Sequence, residues 1–177
     1  MIAAAVLLRP WDALRHDEPA SEASRRLTGR VVRAVDGDTL EVALDDGATE
    51  TVRLIGVDTP ETVKPDTPVQ CFGPRASSFE HRTVEGRRVR LLTGVEPRDF
   101  YGRLLAYVWV EPRGDRRDRA RARGGSARPR ERLLEVELLR RGLARTLTFH
   151  PNDRFAHRFE ALEQKAARSG KGLWNAC

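Results

Sequence analysis

The sequence predicts an α+β protein, a five-stranded OB-type β-barrel with three α-helices. Three observations predict it. Five strand-like segments lie between residues 29 and 110, helical periodicity is confined to one stretch inside that span and two beyond it, and Gly or Asp-Gly signals punctuate the sequence between them. At 177 residues the chain suits one domain with attachments rather than two.

Residues 1–26 mix Pro, Asp, Glu, Arg and Ala without sustained periodicity and read as a flexible leader. The apolar run Ile2 to Leu8 leaves two readings open, the remnant of a signal segment or a frayed N-terminus. No basic region precedes it, and it is too short to span a bilayer. The domain is expected over 27–177. Gly29 to Val35 and Thr39 to Leu44 flank an Asp36-Gly37-Asp38-Thr39 turn, and Leu40, Val42 and Leu44 alternate with Glu41 and Ala43 as in a half-buried strand. Asp45-Asp46-Gly47 turns the chain into a third strand, Thr49 to Ile55.

Pro74 suits a first helical turn, and Ala76, Phe79 and Val84 share a face, so a helix is expected over 74–85 and ends at Gly86. Arg87 to Leu92 and Arg103 to Val110 read as strands four and five. The second helix is expected over 132–141, stopped by Gly142. The third starts at an Asn152 or Asp153 cap and places Phe155, Phe159, Leu162 and Ala166 on one face before Gly170.

Hydrophobic residues make up 40% and charged residues 33%, proportions of a water-soluble domain, and the formal charge is +6. Lysine occurs only at 64, 165 and 171, so the positive charge is almost all arginine, which suits bidentate contact with phosphate. The segment Arg113 to Arg130, within an insertion at about 111–131 expected to be disordered, holds eight arginines against two acids. Its charge of +6 equals that of the whole chain, so the remainder is formally neutral. Two cysteines, Cys71 and Cys177, exclude a disulfide framework or a zinc cluster of the usual kind; one disulfide or two separate thiols both remain open.

Three segments carry the residue types that phosphodiester hydrolysis needs: Asp36 to Thr39, Arg53 to Glu61 (RLIGVDTPE) and Tyr101-Gly102-Arg103. The reaction asks for stabilised charge on non-bridging oxygens, a positioned water and a proton acceptor. Asp38 and Asp58 are hard oxygen donors at the ends of adjacent strands, and the carbonyl of Thr59 could join them around a divalent cation. Arg53 and Arg103 supply guanidinium groups, and Glu61, on a turn after Pro60, supplies a spare carboxylate.

From about Leu27 to Trp174 the chain resembles the staphylococcal nuclease, or thermonuclease, family, on VVRAVDGDTLEV, VRLIGVDTPET, FGPRAS, DFYGRLLAYV, LLRRGLAR and GLW in that order. The resemblance implies a calcium-dependent nuclease that cleaves DNA and RNA at the P–O5′ bond and leaves 3′-phosphate ends. It implies Asp38, Asp58 and the Thr59 carbonyl as Ca²⁺ ligands, Arg53 and Arg103 as transition-state arginines, Glu61 as general base or water-positioning group, and Tyr101 near a substrate phosphate. It also implies a secreted or envelope-associated protein, expected to be a monomer. The chain departs from the staphylococcal enzyme at Phe100, where that enzyme has lysine, and over Arg145 to His150, which is one residue shorter and lacks its tyrosines; both departures bear on substrate preference. The competing reading is a non-catalytic nucleic-acid or protein-binding module on the same barrel. Such modules commonly lose metal or arginine positions, and here all six are present.

Overall fold

A computed structural model describes residues 24–62, 68–112 and 131–177. The leader up to residue 23 and the Arg113 to Arg130 segment lie outside the described residues. Among those described are β1 (Arg26–Asp36), β2 (Thr39–Leu44), β3 (Thr49–Leu54), β4 (Gly56–Asp58), α1 (Gly73–Val84), β5 (Arg88–Arg98), β6 (Leu104–Val110), β7 (Arg132–Leu133), α2 (Leu134–Arg141), β8 (Arg145–Leu147), α3 (Ala156–Arg168) and the four-residue α4 (Leu173–Ala176).

The first three strands form an antiparallel meander in which Thr39 faces Arg53 and Leu40 faces Val52. β1 is long enough to serve two neighbours, pairing with β5 over Arg26 to Arg30 and with β2 from Gly29 to Asp36. Two register shifts in its β2 pairing bend it between them. A parallel pairing of β3 with β6, Val52 opposite Leu104 and Arg53 opposite Leu105, joins the last open edge. β1, β2, β3, β6 and β5 thus form a closed five-stranded barrel of the OB type, with β7 added beside β6.

The barrel interior is the apolar set that alternation points inward: Val31, Leu40, Val42, Val52, Leu91 and Val108 are each at most 1% exposed. α2 and α3 pack on each other, with Leu138, Leu139 and Phe159 fully buried, and burial of each such side chain contributes about 1.5–3 kcal/mol. α2 stops at Gly142, which takes the left-handed conformation (φ 66°) and donates its N–H to the carbonyl of Leu139. Among the described residues no helix is long and apolar enough to cross a membrane.

The third helix begins later than the caps expected from sequence. It starts at Ala156, after Phe155. Asn152 is used elsewhere: its amide donates to the Glu96 carbonyl (2.9 Å) and accepts from the Glu96 N–H (3.2 Å), clasping β5 where its register with β6 breaks. Satisfying those part-buried backbone groups outweighs a cap that water could replace. The second helix likewise gives up Arg132 and Leu133 to β7. On α3, Phe159 and Ala166 form the buried face as the periodicity predicts, with Phe155 and Leu162 packed against the core. The two cysteines form a disulfide, Cys71–Cys177, with Cα atoms 5.9 Å apart.

Candidate active site

The DGDT segment is the turn between β1 and β2. Gly37 donates its N–H to Asp36 Oδ1 (2.7 Å), and a Cβ on Gly37 would sit 2.5 Å from Thr59 Oγ1, so only glycine lets this turn lie against the end of β4. That contact brings Asp38 and Thr59 together. Asp38 Oδ2 accepts from the Thr59 N–H (3.0 Å) and hydroxyl (3.2 Å), while Asp38 Oδ1 accepts from the Thr39 hydroxyl (3.1 Å). Asp38 and Thr59 are buried.

Arg53 points into the same place. Its Nη1 donates to the carbonyls of Leu54 and Val57, each at 2.9 Å, and its Nη2 lies 3.2 Å from both Asp38 Oδ2 and Asp58 Oδ1. One guanidinium nitrogen is therefore bracketed by two carboxylates 20 positions apart in sequence. Asp58 is held there by β4, which pairs with β8 so that Asp58 faces Arg145. Arg145 in turn lies over the Trp174 ring at 4.3 Å, which ties the edge of the site to α4. This two-stranded sheet is too short to carry a sequence signal of its own.

Glu61 follows on the loop after β4. Its Oε1 accepts from the Thr62 N–H (2.9 Å), and its carboxyl adjoins that of Asp36, which also accepts from the Thr62 hydroxyl (2.6 Å). Acids crowd here. Burial, then the charges of Asp38 and Glu61, push the Asp58 carboxyl up against the pull of Arg53. Burial raises Asp36 too, with Glu61 and Asp38 adding to it and hydrogen bonds from Thr62 and Gly37 opposing it. Below them Glu80 of α1 is fully buried, and among the described residues neither of its oxygens has a hydrogen-bond partner; burial and the charges of Asp38 and Asp36 hold it well above the usual carboxylate range.

Arg103 and Tyr101 form a separate group on the β5–β6 turn. Asp99 accepts from the Arg103 Nε (2.6 Å) and N–H (2.9 Å), and the guanidinium lies 5.4 Å from the Tyr101 ring centre. In the parallel β3–β6 register Val52 faces Leu104 and Arg53 faces Leu105, so Arg103 stands two residues before the position beside Arg53. Tyr101 and its neighbour Phe100 are exposed, 80% and 98%.

The structure thus joins Asp38, Asp58, Thr59 and Arg53 in direct contact, adds Glu61 through Asp36, and places Arg103 with Tyr101 on the adjoining turn. Sequence reasoning passed over Asp36, although it lies in the same DGDT turn, and Glu80 and Gln70. Gln70 carries no local signal, because it meets Glu61 only across a loop. Among the described residues no group of three or more His, Cys, Asp or Glu is disposed to hold a metal. The expected calcium set, two carboxylates and a carbonyl, asks for fewer. It fits the donor chemistry here: Asp38 and Asp58 already converge on one guanidinium nitrogen, and burial, with the charges of Asp38 and Glu61, leaves Asp58 short of compensation.

Residues 51–176 match the family model described as staphylococcal nuclease homologue. The chain is 37% identical over 177 residues to a thermonuclease of Staphylococcus intermedius, covering 98% of this chain and 94% of that one. It is 37% identical over 148 residues to a thermonuclease of Staphylococcus hyicus, 84% of this chain and 76% of that one. It is 33% identical over 160 residues to the endonuclease YncB of Bacillus subtilis, 89% of this chain and 66% of that one. With its closed five-stranded barrel and acidic cluster, this nuclease-like chain belongs to the staphylococcal nuclease family.

Proposed function

We propose that the protein is a calcium-dependent nuclease that hydrolyses phosphodiester bonds of DNA and RNA at the P–O5′ bond, leaving 3′-phosphate ends. The observation that carries this reading is the bracketing of Arg53 by Asp38 and Asp58 beside Glu61. Asp38, Asp58 and the Thr59 carbonyl would hold the calcium, which when bound supplies charge for a phosphate oxygen and orders water nearby. Arg53 and Arg103 bind the non-bridging oxygens and stabilise the charge that grows on them. Glu61 accepts the proton of the attacking water or fixes its direction. Tyr101, on the Arg103 turn, contacts a neighbouring phosphate.

The Cys71–Cys177 disulfide supports an oxidising compartment, and so a secreted or envelope-associated protein; we take it to act as a monomer. Incubating the protein with plasmid DNA and with RNA, in calcium and then in EGTA, tests the activity. Cleavage of both in calcium only is expected; binding without cleavage would leave the non-catalytic binding module instead.

A further inference from the structure

A groove of ≈ 540 Å³ runs between α1 and the segment that ends α2, with Arg75, Arg82 and Arg141 along it over Phe72, Phe79 and Leu143. Arg75, Phe79 and Arg82 share one face of α1, with Phe72 just before its first turn, so the two α1 arginines stand two turns apart, about 10 Å. The three arginines are exposed, and among the described residues no acidic one lines the groove. The Arg75 guanidinium lies 5.2 Å from the Phe72 ring centre and that of Arg141 4.7 Å from Phe79. Stacking of this kind covers the apolar faces and leaves the N–H edges outward, the orientation in which arginine meets phosphate oxygens. Arg141 also pairs with Glu137 at 3.5 Å, a half-exposed contact that a phosphate can displace at small cost.

The head of the groove is fixed beside the acidic cluster. A Cβ on Gly73 would meet Thr62 Cγ2 at 2.7 Å and the Glu61 carbonyl at 2.9 Å, so α1 begins against the loop that carries Glu61. Phe72 sits in the left-handed region (φ 71°), costly for an aromatic residue, and is held there between the Cys71 disulfide and the Gly73 N–H, which donates to the Gln70 carbonyl at 3.0 Å. Because the chain outside Arg113 to Arg130 is formally neutral, three arginines on one face are a local concentration of charge and not a share of a general one.

We propose that this groove is a second binding site, one that takes the sugar-phosphate backbone of the substrate strand beyond the cleaved phosphate. The inference rests on the nuclease reading above. Its recognition is by charge and carries no base preference, since the ring faces are already occupied by guanidinium groups.

The test is equilibrium binding, in EGTA, of fluorescein-labelled single-stranded oligodeoxynucleotides across a salt series, comparing the wild type with Arg75→Ala/Arg141→Ala. For a strand of roughly 16 nucleotides the log–log salt slope should shrink by about 1.4, two contacts at about 0.7 each, and Kd should rise on the order of tenfold. Arg75→Lys/Arg141→Lys, which keeps the charges, should retain the wild-type slope. An unchanged slope for this strand, or equal losses in the alanine and lysine variants, would overturn the groove. Failure of the wild type to cleave in calcium would instead sink the nuclease reading and leave this binding result legible.

Discussion

Glu61 and Gln70 clasp each other through the main chain: the Gln70 N–H donates to the Glu61 carbonyl at 2.9 Å, and the Glu61 N–H donates to Gln70 Oε1 at 3.1 Å. The pair closes the base of the loop on which Glu61 stands. Gln70→Ala should therefore loosen Glu61 without touching substrate. We expect kcat to fall about tenfold with KM little changed, because a small misplacement of a proton acceptor acts on the chemical step. Gln70→Glu, which keeps the acceptor, should retain most of kcat. Steady-state kinetics on one oligonucleotide reads both.

Cys71 follows Gln70, and its bond to Cys177 fixes the clasp to the C-terminal helix, whose Leu173 N–H donates to the Gly142 carbonyl. Reduction should cost about 2–4 kcal/mol. Thermal melting with and without dithiothreitol should show Tm lower by roughly 5–15 °C in the reduced protein.

Arg53 neutralises two carboxylates as well as facing substrate. Arg53→Ala should lower kcat about 10²–10³-fold. It also leaves Asp38 and Asp58 to repel each other, so calcium should raise the Tm of the variant by more than it raises that of the wild type. A calcium-induced shift no larger in the variant would show that the two carboxylates do not share a cation.

Glu135 is fully buried, accepts the Val108 N–H at 3.1 Å, and is pushed by burial to about 8. A carboxyl whose pKa is higher in the fold than in the unfolded chain contributes stability that is complete below about 4.5 and is lost as pH rises to about 8. Glu135→Gln keeps an acceptor for Val108 and removes the titration. At pH 8 it should gain about 1–3 kcal/mol, and the gain should vanish at pH 4. Urea denaturation at both values measures it. Glu80, raised in the same direction and without a hydrogen-bond partner among the described residues, should respond likewise to Glu80→Gln.

The sequence made β2 and β3 readable because each alternates against a single core, and β6 by its run of Leu, Tyr, Val and Trp. The closing pair escaped it: nothing local announces that Val52 will lie parallel to Leu104, a contact set by barrel geometry. The same limit applied at the site. Asp38, Asp58 and Arg53 stood out by residue type and order, whereas Gln70 and Glu80 act through contacts across a loop and between layers. Asn152 shows the converse case, a residue with the chemistry of a helix cap that tertiary structure spends on Glu96.

The Cys71–Cys177 bond, spanning 106 positions, makes the later part of the chain a covalent ring, and the arginine-rich run from 113 to 130 lies inside it. A protease that cuts within that run does not release a fragment. The product is a two-chain molecule of unchanged composition apart from one water, with the strands that carry Asp38, Arg53 and Asp58 on one chain and α2, α3 and β8 on the other. Its halves would find each other again by a unimolecular step at any dilution, so cleavage there would be silent until a reductant separated them.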